Sequence, residues 1–195
     1  MKQIIENYPG DALEAFRGYK SLAEKALAQT GDEEFFRLID PEANSIAVIV
    51  KHLAGNLSSR WTDFLTTDGE KTDRNRDAEF ELTTDTRDEL MRFWENGWQT
   101  LFDTLESLHA EDLEKTVQIR GEDFTVVKAI SRSLAHTAYH IGQITLLAKH
   151  YRSSEWQTLS IPKNKSAEFA AWLSEKKEKG NYLKASEEFN EKDLR

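Results

Sequence analysis

No cysteine occurs in the 195 residues. Its absence excludes a disulfide framework and a thiolate metal site, and any sulfur nucleophile must arrive with a substrate. No apolar run approaches the ~20 residues needed to cross a bilayer, and the opening Met-Lys-Gln-Ile-Ile-Glu-Asn-Tyr-Pro lacks the pattern of a secretory signal. The expected location is therefore the cytoplasm, with no membrane partner. Positive charge is also scarce: 26 Lys and Arg stand against 35 Asp and Glu, a net charge of -9. Such a balance repels phosphate backbones and argues against a nucleic-acid partner.

What is present is a globular pattern, 38% hydrophobic and 31% charged, whose periodicity is helical in long stretches. A first helix is expected over about 11–29, with Leu13, Phe16, Tyr19, Ala23 and Leu27 on one face and Gly31 as its stop. One further turn can form over 32–36 before the Asp40-Pro41 loop. A second long helix is expected over 45–65, capped by Asn44 or Ser45, and a third over 86–108, where Gly97 between Trp94 and Trp98 permits close helix approach. Between these two, 66–84 carries alternating charges and reads as a solvated loop, although about 20 residues is long for a connection.

Alternation around Gly121 predicts a small β-hairpin over 116–125, with Thr125 capping a fourth long helix from Val126 to about His150. An apolar segment, 155–163, is expected to fold back over the helices, followed by a helix over about 165–179 and a charged tail. The fold class is all-α with one small hairpin. The expected division is a domain over 1–175 and a tail over 176–195.

On the fourth helix His136 and His140 are four apart, so their imidazoles can reach one point. A third ligand has to come from another helix, and His52 fits, because it lies in a polar seam with Ser45, Asn56, Ser59 and Asp63 beside the apolar face of the second helix. Three imidazoles leave a coordination position open for water or substrate, the pattern of a catalytic site. Zinc or nickel suits this donor set, and iron or manganese can occupy it with added oxygen ligands. The alternative is a set of ordinary interhelical histidines satisfied by hydrogen bonds. The pair lacks the adjacent glutamate of His-Glu-x-x-His metalloproteases. His109 and His150 read as exposed or helix-end residues.

The His52 helix, the His136-x-x-x-His140 pair and the following Gly142-Gln143 resemble the DinB/YfiT superfamily of metal-binding four-helix bundles. Asn44-Ser-Ile-Ala-Val-Ile-Val-Lys-His52-Leu-Ala-Gly-Asn56, Arg60-Trp-Thr-Asp-Phe-Leu-Thr-Thr-Asp-Gly-Glu70, Arg74-Asn-Arg-Asp and Trp156-Gln-Thr-Leu-Ser-Ile-Pro162 resemble one bacterial branch of unknown function. The resemblance implies an up-up-down-down bundle with a long crossover, a divalent metal on His52, His136 and His140, and a homodimer. Its members include S-transferases that use low-molecular-weight thiols such as bacillithiol, a mycothiol-dependent isomerase and hydrolase-like proteins.

A thiol transferase acting on a small electrophile is the expected activity. A non-catalytic metal-binding stress protein and a metal-assisted hydrolase, with Asp63 assisting, are the alternatives. Asn56, Asp63 and Gln143 are candidates for orienting ligands or substrate, each balanced by a plain interhelical role. Arg60, Arg74 and Arg76 are candidates for receiving an anionic substrate or a thiol's carboxylate, balanced by surface ion pairing.

Overall fold

The computed structural model describes residues 2–176, 185–186 and 188–190. Among the described residues, one two-stranded antiparallel sheet and α-helices follow in the order α1 Lys2–Leu27, α2 Asp32–Phe36, α3 Ile46–Trp61, α4 Arg87–Ser107, β1 Thr116–Ile119, β2 Glu122–Thr125, α5 Val126–Arg152 and α6 Ser166–Glu175. The mostly helical class and the hairpin agree with the expectation. No helix among the described residues is long and apolar enough to cross a membrane.

The caps follow from side-chain chemistry. Ser45 Oγ accepts from Val48 N at 3.2 Å, Thr86 and Glu89 form a reciprocal capping box, and Thr125 Oγ1 accepts from Lys128 N at 3.2 Å. Two boundaries differ from the expected ones. α1 begins at Lys2 and runs through Pro9, which forfeits one intrahelical hydrogen bond without ending the helix. α3 stops at Trp61, because Asp63 takes a left-handed φ of 48° that no helix continues through. The expected end of α6 near 179 and most of the expected tail lie outside the described residues.

The chain divides into two compact units, Met1–Tyr151 and Arg152–Arg195. In the first, α3 packs along α4 and α1 reaches both through Phe16, whose ring stands edge-on to Trp61 at 6.1 Å and to Trp98 at 6.4 Å. Trp94 and Trp98 are fully buried, as a core reading of the aromatic stripe requires. Gly97 lies against the α3 backbone: a Cβ there would stand 2.8 Å from Ala54 O and 3.2 Å from Ala54 Cα. α1 also meets α5, where the Tyr8 hydroxyl is 2.6 Å from Ser131 Oγ.

The hairpin turns on Arg120 and Gly121, both at positive φ (58° and 73°), the pairing that suits the twist of a two-residue turn. Its inward residues Val117 and Ile119 are buried, so the ribbon packs rather than standing alone. The second unit has its own small cluster, in which Phe169, Ala185 and Phe189 are buried and Trp172 packs beside them.

Gly97 and Gly142 should respond oppositely to alanine. Gly97→Ala forces apart two backbones and should lower the unfolding free energy, since overpacking of about 1–3 kcal/mol exceeds the gain in helix propensity. Gly142, in α5, would have nothing within 4 Å of an added Cβ, so Gly142→Ala should instead gain about 1 kcal/mol. Urea unfolding with unchanged m-values measures both.

Candidate metal centre

α3 carries His52, Asn56 and Arg60 at four-residue steps, and α5 carries Arg132, His136 and His140 at the same spacing. Each set therefore forms a stripe along one face of its helix. The stripes meet at the histidines. His136 Nε2 lies 3.4 Å from His52 Nε2 and 3.1 Å from His140 Nε2, and one ligand atom from each of the three residues falls within 4.8 Å of the others. Nitrogens bound at 2.0–2.1 Å around a tetrahedral ion stand about 3.3 Å apart, so two of these separations already match the edge of such a polyhedron.

The other ring nitrogens determine which atoms are free. His52 Nδ1 lies 2.8 Å from Glu79 Oε2, and His140 Nδ1 lies 2.8 Å from Gln143 Oε1. Both oxygens can only accept, so each imidazole donates from Nδ1 and its Nε2 presents a lone pair. Gln143 is itself fixed by donating from Nε2 to the Tyr139 hydroxyl at 3.1 Å. Converging lone pairs repel, and a proton on His136 could satisfy only one of its two neighbours.

Protonation is disfavoured in any case. Burial, and then the proximity of His140, His52, Arg132 and Arg60, pushes the His136 pKa down to about 3. Burial also lowers that of His140, against the opposing hydrogen bond to Gln143. Burial thus disfavours the protonated form of His136 and His140, and with His52 Nε2 facing them the three imidazoles form a donor set suited to a divalent cation. His52 is 4% exposed, while His136 and His140 keep partial exposure, so solvent still reaches one side.

Glu79 is the member that sequence reasoning missed. The 66–84 segment, expected as solvated loop, turns inward through a short 3-10 turn, Asp77–Phe80, that buries Glu79 to 6% exposure and sets the Phe80 ring 4.8 Å from His52. Burial alone would raise the Glu79 pKa, but hydrogen bonds from His52 and Arg74 and the Arg74 charge bring it below the usual carboxylate range. Arg74 grips it with two parallel bonds, Nε to Oε1 at 2.7 Å and Nη2 to Oε2 at 2.8 Å. Gly55, one turn beyond His52, leaves the room: a Cβ there would stand 2.3 Å from Glu79 Oε1. The only sequence signals were that glycine and a connection too long for its purpose.

The remaining candidates separate. Asn56 is buried one turn from His52, and Arg60 is buried one turn further. Arg74 serves Glu79 rather than solvent, whereas Arg76 is exposed with its guanidinium 5.1 Å over the Phe80 ring. Asp63 is not among the residues whose ligand atoms converge: it lies past the end of α3, in the wall of a cleft of about 490 Å³ that Gly55, Arg74 and Glu79 also line. His109 and His150 are exposed, as expected.

A family model described as a protein of unknown function (DUF1572) matches residues 3–165. No curated protein and no solved structure matches the chain.

The low His136 pKa has a consequence for acid stability. An unfolded histidine takes up its proton near pH 6.5 while the folded one resists to about 3, so acidification favours the unfolded chain throughout that window. Chelated protein should therefore lose Tm steadily as pH falls below about 6.5, and His136→Ala should flatten the upper part of the curve. Thermal melts from neutral to acid pH measure this, and equal slopes in the two proteins would contradict it.

Proposed function

Because the chain belongs to this family of unknown function (DUF1572), no activity comes to it with a name. We propose from its site that it is a divalent-metal-dependent enzyme of the thiol S-transferase type, acting on a small electrophile. The observation that carries this reading is the convergence of three imidazole nitrogens, two of the rings aimed by acceptors on Nδ1, with one side left open. A structural site would be closed by a fourth protein ligand, and none of the described Asp, Glu or His side chains joins the three.

His52, His136 and His140 hold the ion, with zinc or nickel the best match to an all-nitrogen set and iron or manganese next. A divalent ion held there acts as a Lewis acid and lowers the pKa of a thiol or water that reaches it. Glu79 keeps the His52 proton on Nδ1, Arg74 keeps Glu79 ionised, and Gln143 does for His140 what Glu79 does for His52. The chain has no thiol of its own, so the sulfur is supplied by a low-molecular-weight thiol. Hydrolysis ranks below transfer because Asp63, its expected helper, lies past the end of α3 and is not among the residues whose ligand atoms converge, and Glu79 is already committed to Arg74 and His52.

This reading includes a fold and an assembly. α1, α3, α4 and α5 are proposed to form a DinB/YfiT-type four-helix bundle, up-up-down-down, with the 62–86 connection as its crossover. We take the protein to be a cytoplasmic homodimer; Tyr139 and Leu146, 62% and 68% exposed on α5, supply an apolar outer face in keeping with that.

Elemental analysis of protein purified without chelator should find about one divalent ion per chain. His136→Ala should lose it, and Glu79→Gln should weaken affinity roughly ten- to a hundredfold. A triple His→Ala protein that kept its ion would falsify the assignment. Conjugation of a thiol panel to small electrophiles should then require the ion. Rates at background for every thiol, with the ion bound, would leave a binding protein instead of an enzyme.

A further inference from the structure

Arg60 lies two helical turns beyond His52 on the same face of α3, about 12 Å along the axis. It is 3% exposed, and its Nη1 has no hydrogen-bond partner among the described residues. The carboxylate that pairs with it, Glu70, is 4.0 Å from Nη2 and is shared with Arg74 at 3.0 Å and Arg120 at 3.5 Å. Gly69 closes over the guanidinium, where a Cβ would stand 2.8 Å from Nη1.

Burial, and then the like charges of Arg132, Arg74 and Arg120 against the opposing charge of Glu70, pushes the Arg60 pKa down to about 10; the Asp68 carboxylate also feels the Arg60 charge. Arg120 and Arg132 are exposed and lie close enough to Arg60 to perturb it. A buried charged donor left without an acceptor costs more than a neutral one, which singles out Arg60 Nη1. Arg60, Arg74, Arg120 and Arg132 gather here in a chain whose net charge is -9, and an anion is the acceptor that suits a guanidinium.

We propose that Arg60, with Arg120 and Arg132 close to it, receives the oxyanion group, carboxylate or phosphate, of the molecule that reacts at the three histidines. The identity of that molecule's reactive end rests on the metal-centre reading; the anion receptor itself does not. A guanidinium fork suits either oxyanion. One to two helical turns separate the arginines from the histidines on their stripes, so the substrate or thiol carries its anion roughly 6–12 Å from the reacting atom.

The test is a titration of full-length protein with inorganic phosphate and, separately, acetate, at constant ionic strength set with chloride. It is run on zinc-loaded and chelated protein and read by calorimetry. At least one anion should bind both forms, and the preference tells phosphate from carboxylate. Arg60→Gln and Arg132→Gln should each weaken binding by about tenfold or more, while Arg92→Gln, exposed on α4, should not.

Arg132 is exposed, so its variant stays informative if the Arg60 variant folds poorly. Unchanged affinity in the Arg60 and Arg132 variants, or no binding of either anion to either form, overturns the receptor. Binding that needs zinc and ignores both arginines overturns it too, since the ion would then be the acceptor. Arginine-dependent binding in a protein that never acquires metal keeps the receptor and removes the triad reading, so the two fail separately.

Discussion

The hydrogen bond between His52 Nδ1 and Glu79, 2.8 Å long, is made where His52 is 4% and Glu79 6% exposed. An ionised carboxylate in that position costs several kcal/mol unless it is paired and hydrogen-bonded on both oxygens. Arg74 supplies both bonds, and its own burial is tolerable only because Glu79 and Glu70 neutralise it. The group also needs space, which Gly55 provides by having no Cβ. A single oriented imidazole thus commits an arginine, a glutamate and a glycine from two separate segments. Such a chain contributes little net stability over an apolar core; its return is that the ring has one tautomer and one direction.

The arginines raise a question of magnitude, because positive charge near a cation site opposes the cation. A guanidinium about 10 Å from a divalent ion costs it about 3 kcal/mol at an effective dielectric of 20. Structural zinc sites in zinc-finger peptides bind with roughly 10–16 kcal/mol, so one such guanidinium would not by itself outweigh a well-aimed set of ligands. The same positive field favours any anion brought near the ion and keeps His136 unprotonated and ready as a ligand. The chain is acidic as a whole, yet Arg60, Arg74, Arg120 and Arg132 stand close enough to perturb one another. That local inversion of the net charge reaches the histidines, since Arg132 and Arg60 both act on His136.

Much of this was legible in the sequence because it rests on local rules. The Ser45 and Thr125 caps, the hairpin at Gly121, the buried tryptophan stripe and the tight approach at Gly97 each follow from one residue type in one local context. His136 and His140 declared themselves by helical spacing, and His52 by its place in a polar seam. Glu79 did not, since its role is set by where a 27-residue separation in sequence brings it, and nothing in alternating charge distinguishes an inward carboxylate from outward ones. Asp63 misled for a related reason. A helical projection puts it in line with His52, but the helix ends at Trp61 and a left-handed residue breaks the projection.

The connection between α3 and α4 has the least regular structure, yet it holds together parts that the helices alone would leave independent. Asp68 accepts from the backbone of Arg120 at 2.8 Å and Gly121 at 2.7 Å, which fixes the hairpin turn. Gly69 donates to Gln118 O at 2.8 Å and closes over Arg60. Glu70 bridges the arginines, and Arg74 and Glu79 reach the histidine. Its alternating charges are therefore not a solvated face: Glu70, Arg74 and Glu79 turn inward while Asp73, Arg76 and Asp77 turn outward. A segment with so few apolar residues stays ordered because its polar groups are paired to partners on α3 and the hairpin. Shortening it, even with every helix intact, would remove the acceptor that aims His52 and leave the three nitrogens close together but no longer pointed at a common centre.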